Sequence, residues 1–184
     1  MNALPGRLLT PPDHESRSKK ELIEALGLSP HRDEGGYYTE RYRPERWRMG
    51  GGAIAMDTIY YMLTDDSPIG HFHRNKSDIV HFHHMGGSIR YTTIDDCGTV
   101  ETFVLGKDVA HGEQLQCMVA GGLWKASELI SGEFGLISEA VVPAFDPADR
   151  VVATRALLRS LYPALDQELL RLAWDEHETD GAFA

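Results

Sequence analysis

Between Gly35 and Ala144 the chain breaks into short runs of β-branched and aromatic residues, each bounded by Gly, Asp, Asn or Ser. That rhythm narrows the possible folds most, because strands of this length and spacing build an antiparallel sandwich or barrel. Nine runs are expected as strands: 37–43, 53–63, 71–73, 79–84, 88–94, 100–105, 115–119, 124–129 and 136–142. Residues 64–68, 74–77, 95–98 and 106–112 carry turn chemistry between them. This strand number is about that of a jelly roll, so the expected class is all-β, a jelly-roll barrel with short N- and C-terminal helices.

The flanks read differently. Ser18 and Glu21 form a capping box before the apolar stripe of Leu22, Ile23, Ala25 and Leu26, and Gly27 with Pro30 stops that helix. It is expected to lie against the outside of the sheet. After Pro143, Leu157, Leu158, Leu161, Leu165, Leu169 and Leu170 fall at helical spacing around Pro163. Two short helices are expected there, closing one end of the barrel. With 184 residues, one domain over 16–174 is expected, with a loose arm at 1–15 and a frayed tail at 175–184.

A formal charge of −10 without a basic stripe argues against nucleic acid as a partner. No run is apolar enough for a signal or a membrane span, so a cytoplasmic chain without membrane contact is expected. Cys97 and Cys117 are expected as free thiols.

Five of the nine histidines, His71, His73, His81, His83 and His84, fall within residues 71–84, which read as strand, turn and strand. Alternation puts His71 and His73 on one face and His81 and His83 on one face, with His84 opposite. Imidazoles converging inside a barrel suit either a transition-metal site or acid/base chemistry near neutral pH. Tyr37, Tyr60, Tyr61 and Trp124 are candidates to wall a pocket.

A wider set of residues carries a resemblance: Glu34 to Tyr38, Thr58 to Leu63, His73 to Lys76 with His81 and His84, Gly106 with Gly112, Gln116, Gly122 with Trp124, and Val142 to Asp146 with Asp149. Together they resemble the Cupin 5 family, the DUF985-type cupins, over about residues 20 to 172. The resemblance implies a double-stranded β-helix barrel, usually a homodimer, similar in shape to the sugar-nucleotide 3,5-epimerases, and no settled reaction. Metal-binding cupins carry two His one residue apart, an acid four or five residues on, and a further His. His71, His73 and Asp78 approximate the first group, although a second register puts Ile79 at the acid; Lys125 stands at the last His.

Three readings follow. In the first, a metal-independent isomerase, epimerase or cyclase type of enzyme uses His73 as base beside a carbonyl, Arg74 or Lys76 as electrostatic partner, and His84 or Tyr61 as acid. Tyr37, Lys76, His81, Gln116, Trp124 and Lys125 would then contact the substrate, and no cofactor is expected. In the second, His71, His73 and Asp78 hold Fe, Ni, Mn or Zn for a dioxygenase or lyase. In the third, the barrel binds a sugar-like small ligand without catalysis. A homodimer is expected in each, through the edge at 37–43.

Overall fold

The computed structural model describes residues 18–175. Helix α1 (Lys19–Leu26) begins where the Ser18 hydroxyl accepts from the Glu21 N–H and the Glu21 carboxylate accepts from the Ser18 N–H at 2.8 Å. It ends at Gly27, whose φ of +66° is a conformation open to glycine. The strands that follow are β1 (Ser29–Pro30), β2 (Tyr37–Tyr42), β3 (Asp57–Thr64), β4 (Ile69–Arg74), β5 (Asp78–Gly86) and β6 (Ile89–Ile94). Then come β7 (Val100–Leu105), β8 (Gln116–Val119), β9 (Trp124–Leu129), β10 (Phe134–Val142) and β11 (Val151–Val152), and finally α2 (Arg155–Leu161) and α3 (Gln167–Leu170). The expected arm at 1–15 and all but the first residue of the tail lie outside the described residues.

The strands form two antiparallel sheets, ordered β1-β2-β3-β10-β5-β8 and β11-β4-β9-β6-β7. Their inner faces meet in a core where Tyr61, Leu63 and Ile137 of the larger sheet pack on Ile89, Tyr91 and Leu105 of the smaller. Complete burial of one such side chain contributes about 1.5–3 kcal/mol. Because faces alternate, Phe72, Ile94, Trp124 and Ala126 point out of the smaller sheet. There they pack on Leu158 of α2, Leu170 of α3, and Leu172. The C-terminal helices therefore cover a sheet face and do not plug a barrel end. Leu22 of α1 and Leu28 just beyond its C-cap cover Met62 and Leu136 on the outer face of β3 and β10.

Two irregularities position the site. Gly35 and Gly36 take φ of +88° and +68°, and a Cβ on Gly35 would stand 2.3 Å from the Ile69 carbonyl oxygen. Only glycine lets this loop press onto β4. In the pairing of β10 with β5, the register shifts between Leu136 and Ile137, so His83 sits opposite Ile137 and Met85 opposite Leu136.

Candidate acid–base site in the barrel

The loop between β1 and β2 delivers Glu34. Its backbone is fixed on several sides: the Glu34 N–H donates to His31 Nδ1 at 3.1 Å, the His71 N–H to the Glu34 carbonyl at 2.6 Å, and Tyr61 Oη to the Gly35 carbonyl at 2.9 Å. Trp174 Nε1 donates to the Asp33 carbonyl at 2.8 Å. The carboxylate therefore enters the barrel from a rigid mount. Oε1 lies 3.2 Å from Arg150 Nη1 and 3.7 Å from His31 Nε2, and Oε2 lies 3.4 Å from His73 Nε2.

A second carboxylate, Glu139, enters from β10. It sits in register with His81 of β5, with Oε1 3.1 Å from His81 Nδ1 and 3.8 Å from Lys125 Nζ. Lys125 of β9 is in register with His73 of β4, and Tyr91 Oη lies 3.2 Å from His81 Nδ1. Two carboxylate–imidazole pairs thus flank one buried lysine.

The hydrogen bonds set the tautomers. His73 Nδ1 donates to the His71 carbonyl at 2.8 Å, which leaves Nε2 as a lone pair facing Glu34. His81 Nδ1 is placed to donate to Glu139, leaving Nε2 without a hydrogen-bond partner. Burial lowers the pKa of His73 to about 4 despite the pull of Glu34. Burial, aided by Lys125, also lowers that of His81, so both rings are neutral at pH 7. Burial opposes ionisation of the carboxyls too, but it is outweighed. His73, His31 and Lys125 hold Glu34 below the usual range, and Lys125 and His81 hold Glu139 below it. Burial and the nearby carboxylates push Tyr61 and Tyr91 far up, keeping them protonated.

A cavity of about 700 Å³ opens in front of this group, lined by Glu34, Glu139, His31, Arg150, Asn75 and Asp57 among others. Behind it is a chamber of only about 10 Å³, lined by Tyr61, His73, Tyr91, Lys125 and Ser127 together with the same Glu34 and Glu139. The two carboxylates face both spaces, and His73 and Lys125 face only the inner one.

Of the residues singled out from sequence, this region gathers His73, His81, Tyr61 and Lys125. The others lie elsewhere, mostly because adjacent strand residues face opposite ways. Arg74 lies over the Trp124 ring, 4.6 Å from its centroid, and pairs with Asp96 at 2.8 Å. Trp124 belongs to the core beneath the C-terminal helices. His84 is on the outer face, 2.8 Å from Ser138 Oγ and edge-on to Tyr60. Tyr37 packs in the α1 cluster and donates to Asp66 at 3.3 Å. Lys76 pairs with Asp149, and Gln116 is exposed on β8.

The proposed metal triad does not assemble. His71 stacks on Trp174 with ring centroids 3.7 Å apart, and the exposed Asp78 accepts from the Gly121 N–H at 2.8 Å. Among the described residues, no group of three or more His, Cys, Asp or Glu is placed to hold a metal ion. The interior carboxylates are instead matched by Lys125 and Arg150, so the residues do not fit the metal that the motif implied. Sequence reading missed Glu139, Arg150, His31 and Tyr91, and noted Glu34 only among the residues that carry the family resemblance. One signal was available: Glu139 is the lone carboxylate in the apolar run 136–142, at the inward parity.

Two antiparallel sheets enclosing a polar cavity, with acid–base side chains rising from the inner strands, define a cupin barrel suited to a small molecule. Residues 20–153 match the family model described as Cupin superfamily (DUF985), and the chain belongs to that family. An uncharacterized protein of Saccharomyces cerevisiae is 41% identical over 149 residues, covering 72% of this chain and 73% of the yeast protein. A hypothetical protein from Leishmania major superimposes with a TM-score of 0.78 at 28% identity, over 86% of this chain and 100% of that one. A protein of Shewanella oneidensis does so with a TM-score of 0.81 at 28% identity, over 87% and 99%. A Bacillus subtilis oxalate decarboxylase variant shares the fold alone, with a TM-score of 0.52 at 14% identity over 84% of this chain and 39% of that one. No helix among the described residues is long and apolar enough to cross a membrane.

Proposed function

We propose that this cupin is an enzyme of the isomerase or epimerase type, moving a proton at a carbon beside a carbonyl of a small molecule bound in the cavity. The observation that carries the reading is that Glu34 and Glu139 each face the cavity in front and hold a neutral imidazole behind. Glu34 takes the proton from carbon, and the electron pair passes to the carbonyl oxygen as an enolate. The lone pair on His73 Nε2 receives the proton from Glu34, so His73 serves as base at one remove. Glu139, ionised and backed by His81, takes the proton of the neighbouring hydroxyl and passes it to the enolate oxygen, and the proton held by Glu34 and His73 returns to the adjoining carbon.

The negative charge of the enolate develops against Arg150 in the cavity and Lys125 behind it. These two take the place that sequence reading gave to Arg74 and Lys76. With two fixed cations supplying charge, the reaction in this reading requires no metal.

The test is deuterium wash-in. Small aldoses, ketoses and 2-oxo acids incubated with the protein in D2O should exchange the hydrogen beside the carbonyl, followed by proton NMR. Glu34→Gln should slow the exchange by at least about 100-fold, and EDTA should leave it unchanged. Exchange that EDTA abolishes and one metal restores would overturn the metal-free mechanism. Ligand binding with no exchange would leave a binding barrel without catalysis.

A further inference from the structure

The cavity is rich in charge but has little positive charge to offer a ligand. Among the described residues, five carboxylates line it, those of Asp33, Glu34, Glu40, Asp57 and Glu139, against three guanidiniums. Two of the three are occupied: Arg150 pairs with Asp33 and Glu34, and Arg43 donates to Asp57 Oδ2 at 2.6 Å and to the Phe145 carbonyl at 3.0 Å. The third, Arg32, is solvent-exposed. His31 adds no free donor, because its Nδ1 accepts from the Glu34 N–H and its Nε2 faces Glu34.

Hydrogen-bond capacity points the same way. Asp57 and Asn75 line the cavity and are 6% and 9% exposed, and each keeps one side-chain oxygen without a hydrogen-bond partner. Both unused atoms are acceptors, and so are the cavity carboxylates. A ligand that satisfies such a wall brings donors. On the same sheet face as Asp57 and Glu139, the side chains of Ile59, Ile79 and Val141 add an apolar patch that suits the carbon face of a ring or chain.

We infer that the cavity selects a neutral, hydroxyl-rich carbonyl compound, an unphosphorylated sugar or keto-polyol, and rejects its phosphorylated and nucleotide-linked forms. The carbonyl in this description rests on the proton-transfer reading above; the hydroxyls and the absence of an anion do not. A phosphate here would meet carboxylates and, among the described residues, no buried cation that is not already paired with a carboxylate, and like-charge contact discriminates strongly against the wrong ligand. An ammonium would satisfy the acceptors as well, but Arg150 and Arg43 already match Asp33, Glu34 and Asp57 and Lys125 matches Glu139, so among the described residues no buried carboxylate is left unmatched to offset its desolvation.

Saturation-transfer NMR and calorimetric titration of the full chain test this. The probes are a panel of free pentoses and hexoses, the matching sugar phosphates, glucosamine and uridine diphosphate glucose. At least one free sugar should bind, and its phosphate should bind at least about tenfold more weakly. Glu40→Gln, a change at an exposed position, should narrow that gap while leaving the melting temperature in place. Equal or tighter binding of a phosphate or of the nucleotide sugar overturns the inference, as does binding of the amine alone, or no binding by any free sugar. Free sugars that bind without deuterium exchange would remove the proton-transfer reading and leave this inference standing. Exchange confined to phosphorylated substrates would do the reverse.

Discussion

Replacing Lys125 by methionine removes the charge inside the barrel while keeping most of the side-chain volume. The ammonium lies 3.8 Å from Glu139 Oε1, a Coulomb attraction of about 4 kcal/mol at an effective dielectric constant near 20. Breaking a buried pair leaves an uncompensated charge at a typical cost of about 3–5 kcal/mol, so Lys125→Met should lose about 3–4 kcal/mol at pH 8. Acid should soften that loss. Burial and Lys125 lower the pKa of His81, so the folded wild type binds fewer protons there than the unfolded chain and loses stability as pH falls below the ordinary imidazole range. Without Lys125, the imidazole 3.1 Å from Glu139 takes up a proton readily and replaces the missing cation. Urea unfolding of both proteins at pH 8 and pH 5.5 should therefore show the difference shrinking to less than about half at the lower pH. An equal difference at both pH values, or one under about 1 kcal/mol at pH 8, would refute the reasoning.

Other outcomes follow from single contacts. His73 is lowered from 6.5 to about 4, so it alone should cost the wild type about 2 kcal/mol between pH 7 and pH 5; denaturant midpoints that stay flat over that range would contradict it. Gly35→Ala puts a Cβ 2.3 Å from the Ile69 carbonyl at a φ of +88° and should destabilise by at least about 2 kcal/mol, read from the same unfolding curves. Ellman's reagent should label one thiol per native chain, since Cys97 is exposed while burial pushes the Cys117 thiol up to about 12. Strand β1 pairs only with Tyr37 and Tyr38, so the rest of β2 offers an edge, and light scattering should find twice the 20.5 kDa chain mass; a monomer would count against a dimer.

Much of the architecture was legible because strand boundaries are written in turn residues and strand faces in alternation. The runs 100–105 and 124–129 coincide with β7 and β9, and the capping box of Ser18 and Glu21 marked α1. The run 53–63 began too early: Ala53 to Met56 is apolar but belongs to the excursion before Asp57. The site was only partly legible. Parity assigned His81 and His83 to one face and His84 to the other, yet the same rule, applied strictly, sends Arg74 away from His73. The Glu34–Arg150 pair joins residues 116 positions apart, and no local pattern announces a contact made by sheet pairing. Placement of the two C-terminal helices on a face required knowing that Phe72 and Trp124 point outward.

Arg150 also ties the access route to the chemistry. It stands on the segment following β10 and grips Asp33 and Glu34 on the loop before β2, and both stretches border the cavity. The two stretches lie more than a hundred positions apart in the chain, so one guanidinium both closes the rim of the cavity and steadies the loop that mounts Glu34, and its loss would loosen the two together.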